Sequence, residues 1–95
     1  MTEHEVFSNW LREHEGYAAA AGNLSEAELY SRIARLPQHR YEGPTAHDGY
    51  EVELRDSSGM SSRFPAGSRK DSLVKAFLFA VYKRWADTPW DTTGE

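Results

Sequence analysis

Nineteen residues, Ser68 to Ala86 (SRKDSLVKAFLFAVYKRWA), constrain the fold of this chain more than any other stretch, because nothing else in it is both as long and as apolar. Leu73, Val74, Phe77, Val81 and Trp85 recur at three- and four-residue spacing, which places them on one helical face. Ala76, Leu78, Ala80 and Tyr82 widen that stripe, as expected of a helix covered on more than one side. Ser68 followed by Asp71 is a capping signature for the helix start. Lys83 and Arg84 stand where cations suit the last turn. The spacing thus predicts a long C-terminal helix over 69–86.

The rest of the chain must cover that helix. Thr2 with Glu5 is a second capping signature, followed at helical spacing by Phe7, Trp10, Leu11, His14, Tyr17, Ala18 and Ala21. Gly16 weakens this first helix, so a break near Glu15 and a restart through the alanines is expected. Gly22-Asn23 ends it. Ser25 and Glu28 open a short second helix with Leu29, Tyr30, Ile33 and Leu36 as its apolar face, closed by Pro37. Gln38 to Gly49 reads as a loop, with a third strand near Tyr41 as an option.

Tyr50, Val52 and Leu54 alternate with Glu51, Glu53 and Arg55, the pattern of a strand with one wet face. Asp56-Ser57-Ser58-Gly59 reads as a hairpin loop, and Met60 to Phe64 as the returning strand. Pro65-Ala66-Gly67 ends that strand. The expectation is an α+β domain over 1–86: two N-terminal helices and a small antiparallel sheet (hairpin 50–64) packed on the C-terminal helix. A polar tail, 87–95, follows and carries one large side chain, Trp90, which either folds back or meets a partner.

Charge narrows the function. The net charge is −4. Residues 1–60 hold eleven acids and five bases, a balance of −6, and residues 61–95 four acids and six bases, a balance of +2. A surface this acidic disfavours general nucleic-acid binding. Cysteine is absent, which removes disulfides and thiolate metal sites and fits a reducing compartment. The first ten residues lack a basic region followed by an apolar run, and no apolar run approaches the ~20 residues of a membrane span. A small acidic cytoplasmic protein is expected.

Chemistry-bearing patterns are few. His4, His14, His39 and His47 have no metal-site spacing, and surface or capping roles are expected for them. Glu51 and Glu53 share a strand face and could pair for acid–base work in a cleft; on an open face they serve solvation. There is no phosphate loop and no nucleophile elbow. A non-enzymatic role without a cofactor is expected.

Two resemblances add expectations. Gly67-Ser68-Arg69-Lys70, with Lys75 one turn on, follows a strand and a turn and opens a helix. That arrangement resembles the last helix of double-stranded-RNA-binding domains, and it implies phosphate contacts by Ser68, Arg69, Lys70 and Lys75. The run Gly49 to Leu54, a second strand after a glycine turn, and Ser72 to Val81 as the closing helix resemble small phage-encoded α-β-α sandwich proteins. This second resemblance implies an accessory protein of a phage or mobile element that acts by binding a host or defence enzyme.

The expected function is protein binding, through the acidic half of the chain and the wet strand face, with Glu51, Glu53, Arg55 and Trp90 as contact residues. Duplex nucleic-acid binding at the basic helix start is the alternative. Met60 to Phe64 reads as an edge strand open to a second copy or a partner's strand, with self-association slightly favoured over a monomer in which a strand near Tyr41 covers that edge.

Overall fold

The computed structural model describes residues 2–36, 40–46, 50–56 and 58–86, with the backbone alone at 40–46 and at Tyr50. The tail, and with it Trp90, lies outside the described residues, as do His39 and His47. The order is α1 (Glu3–Glu13), α2 (Glu15–Gly22), α3 (Glu26–Ala34), β1 (Arg40–Ala46), β2 (Tyr50–Arg55), β3 (Ser61–Ala66) and α4 (Arg69–Tyr82). This is the α+β arrangement expected from the sequence, and the third strand near Tyr41 is present as β1.

α1, α3 and α4 start where their capping residues stand. Thr2 Oγ1 accepts from the Glu5 backbone N–H at 3.2 Å, and Glu5 Oε1 accepts from the Thr2 N–H at 3.0 Å. Ser25 Oγ accepts from Glu28 N–H, and Ser68 Oγ from Asp71 N–H, both at 3.1 Å. Each cap satisfies a donor the helix itself leaves unpaired, worth ~1 kcal/mol. The first helical segment breaks at His14, two residues before Gly16. His14 closes α1 and opens α2, with φ −127° and ψ 48°.

α4 packs against α1, α2, α3, β2 and β3. Its residues Ala76 to Val81 are buried without interruption, so the helix has no wet face along that stretch. Leu29 and Ile33 of α3, Ala21 of α2, Phe7 of α1, and Val52, Leu54 and Phe64 of the sheet complete one core around it.

α4 stops at Tyr82, one turn short of the expected end at Ala86. The Trp85 N–H bonds to the Ala80 carbonyl at 2.8 Å and the Arg84 N–H to the Val81 carbonyl at 2.9 Å, the paired bonds of a Schellman turn. Arg84 holds the left-handed position with φ 64°. Glycine is the usual residue there, and its absence hid the stop from the sequence pattern.

The sheet order is β1-β2-β3, antiparallel throughout. The hairpin forms where expected. Asp56 Oδ1 accepts from the Ser58 N–H at 2.9 Å, the Ser58 hydroxyl at 2.6 Å and the Met60 N–H at 3.0 Å. Gly59 supplies a φ of 94° that a side chain would oppose. Two expectations need correction. β3 continues through Pro65 to Ala66 rather than ending at Phe64. β1 lies on the far side of β2, so it does not cover the β3 edge.

Candidate functional site: a groove beside the open edge of the sheet

The hairpin register decides which backbone groups of β3 face outward. The Asp56 N–H bonds to the Met60 carbonyl at 2.9 Å, closing the ladder with a hydrogen-bonded pair. Such pairs alternate along an antiparallel ladder. Leu54↔Ser62, Val52↔Phe64 and Tyr50↔Ala66 are therefore the bonded pairs, and Ser61, Arg63 and Pro65 turn their backbone groups away from β2. Pro65 fits that position because it has no N–H to offer, and its carbonyl accepts from Lys75 Nζ at 3.4 Å. By the same register Pro44, opposite Val52, points outward on β1. Both edges thus carry a proline on their open side, a device that limits strand addition. On β3 the stretch left for a partner is Ser61 to Arg63.

A groove of about 400 Å³ runs beside that stretch, between β3, α1 and α4. Phe7 and Leu11 of α1, Phe64 of β3 and Phe79 of α4 give it an apolar floor, while His4, Ser8, Arg63 and Lys75 line its polar parts. The floor is aromatic. The Phe79 ring lies 5.2 Å from Phe7, edge-on, and 5.1 Å from Phe64. Tyr82 and Trp85 stand against Phe79 at 5.7 and 5.6 Å. Lys83 bonds to Glu3 and sits 5.7 Å from the Phe79 ring, which ties the end of α4 to the start of α1 at this side.

The outer sheet face is less acidic in effect than its sequence suggests. Glu51 and Glu53 lie 3.8 and 3.9 Å from the Arg63 guanidinium, and Arg55 approaches Glu53 at 3.8 Å. The side chains of Glu51 and Glu53 are only 22% and 17% exposed, whereas Arg63 is 65% exposed. Glu51, Glu53 and Arg55 therefore come together as expected, and the two carboxylates steady Arg63 at the rim of the groove. The pattern of alternating residues exposed the carboxylates; only the cross-strand register revealed their partner.

The residues at the basic start of α4 have local contacts, and Lys70 is half-buried. Arg69 faces Glu26 at 3.6 Å, Lys75 bonds to Pro65, and the Ser68 hydroxyl caps the helix. His14 stacks on Trp10 with ring centroids 4.4 Å apart, and its Nδ1 lies 2.9 Å from the Trp10 carbonyl. Among the described residues no three His, Asp or Glu side chains are grouped to hold a metal. Among them, too, no helix is long and apolar enough to cross a membrane. No protein-family model, no curated protein and no solved structure matches the chain.

Proposed function

We propose that this chain is a non-enzymatic protein-binding module that takes an extended segment of a partner along β3. The observation that carries the reading is the coincidence of the open backbone at Ser61 and Arg63 with an apolar groove directly beside it. A strand laid there bonds to the two outward residues, and its alternate side chains enter the groove over Phe64 and Phe79. Arg63, steadied by Glu51 and Glu53, selects a segment with an acidic residue at the rim. The resemblance to phage accessory proteins points to a host or defence enzyme as the source of that segment.

The test is affinity capture from the native host, compared with a variant that fills the groove. Ser8→Trp places a large ring over the groove from a half-buried position and removes no core atoms. A partner captured by the wild type and lost with Ser8→Trp, in a variant that melts like the wild type, supports the reading. Capture that ignores Ser8→Trp refutes the site. Submicromolar binding to duplex RNA or DNA that Arg69→Glu with Lys70→Glu abolishes replaces the reading with nucleic-acid binding.

A further inference from the structure

We infer that the chain has a second, chemically distinct site: an arginine-lined pocket that binds a small organic phosphate carrying a planar ring, the chemistry of a nucleotide. The pocket measures about 420 Å³, within the range of small-molecule sites. Arg32 of α3, Arg35 at the α3 C-cap and Arg84 after α4 line it, with Leu36, Phe77 and Trp85. No carboxylate lines it among the described residues. Glu28 lies just outside and holds Arg32 through Nε at 2.7 Å, which fixes the guanidinium 6.0 Å from the Phe77 ring. Planar guanidinium forks match phosphate oxygens two at a time. The indole of Trp85 gives a planar ring something to lie against.

The ends of α3 and α4 would attract cations for their own sake, which accounts for positive charge but not for Arg84. Arg84 occupies the one left-handed non-glycine position among the described residues, and glycine would form the same Schellman turn with less strain. A residue that breaks a local rule where the conforming choice is available points to a role outside folding. The geometry assigns that role to the Arg84 side chain, because the turn sets this residue on the wall of the pocket with Arg32 and Arg35.

Arg84→Gly separates the two roles because they move in opposite directions. The variant relieves the turn and raises the melting midpoint by about 4 °C. It also removes a phosphate-binding fork and weakens ligand affinity by roughly tenfold or more. Calorimetric titration of the full chain uses ADP, pyrophosphate and adenosine as probes. ADP binds more tightly than pyrophosphate, adenosine gives no heat, and Arg84→Gly weakens ADP and pyrophosphate alike. Arg35→Gln weakens both again from the other wall. No heat from ADP at millimolar concentration overturns the inference. Affinity that survives Arg84→Gly, or that is lost instead with Arg69→Glu and Lys70→Glu, overturns it as well.

Discussion

The two sides of α4 do different things with the same kind of residue. Phe77 and Phe79 are two positions apart, about 200° around the helix axis, so they face opposite ways. Phe77 is fully buried on the side of α3, with Arg32 over its ring and the arginine pocket beside it. Phe79 is buried on the side of α1 and β3, among four aromatic rings, and forms the floor of the groove. Each ring has a cation over it, Arg32 on Phe77 and Lys83 on Phe79, but Phe77 borders the arginine pocket while Phe79 sits within an aromatic cluster. A helix apolar all round therefore supports two surfaces of unlike chemistry, and the elements packed on each side decide which is which.

The largest effects expected come from deleting either ring. Phe77→Ala and Phe79→Ala each lower stability by ~3–5 kcal/mol, since each empties a large buried volume. A small domain has little more than that in total, so both variants should be extensively unfolded in a denaturant melt. A midpoint near the wild type for either one would mean that its side of α4 is not core.

Replacement by leucine sharpens the contrast. Leucine keeps most of the volume, so the transfer loss is similar at the two positions. At Phe79 the change also removes ring contacts, worth ~0.5–1.5 kcal/mol each beyond the area buried. The four contacts share one ring and do not add fully, which leaves Phe79→Leu the costlier variant by about 1 kcal/mol. Equal melting midpoints for Phe77→Leu and Phe79→Leu would show that the aromatic cluster contributes packing alone.

A third expectation concerns the edge beside the groove. Arg63 points its N–H away from β2 and Ser62 points its own toward it. Ser62→Pro breaks the β2–β3 ladder and destabilises the fold, whereas Arg63→Pro spares the ladder and removes an outward donor. If a second copy pairs along β3, light scattering at high concentration gives twice the chain mass for the wild type and the single mass for Arg63→Pro. A wild type that runs as a monomer leaves the edge to a different partner.

How much of this was legible in the sequence follows from the range of each signal. The three caps, the break near Gly16, the alternation of β2 and the Asp56–Gly59 turn are set by residues within a few positions of one another, and all of them form. The end of α4 was not legible, because Arg84 adopts a glycine-like conformation without being glycine. Strand β1 lacks the alternation that marked β2, and its register shifts between Tyr41 and Pro44. Glu51, Glu53 and Arg55 could be read as one face, but Arg63, the partner of the two carboxylates, depends on the cross-strand register. The groove draws on three elements and the arginine pocket on two, in each case far apart in the chain, so no local pattern announces them.

The smallest expected effect tests whether stability and the two surfaces can be separated. Gly16 lies in α2, just past the junction with α1, and α1 forms one wall of the groove. It is exposed, its φ lies outside the left-handed range, and a methyl group there meets nothing within 4 Å. Alanine should therefore gain helix propensity without a steric penalty, raising stability by ~0.5–1 kcal/mol. Neither the groove nor the arginine pocket contains this residue, so partner capture and ADP affinity should stay at wild-type values. A gain in stability with both affinities unchanged places the junction outside both surfaces. If Gly16→Ala stabilises the chain and weakens partner capture, the α1–α2 break must bend for the groove to open, and the groove side of α4 would then be the adaptable one.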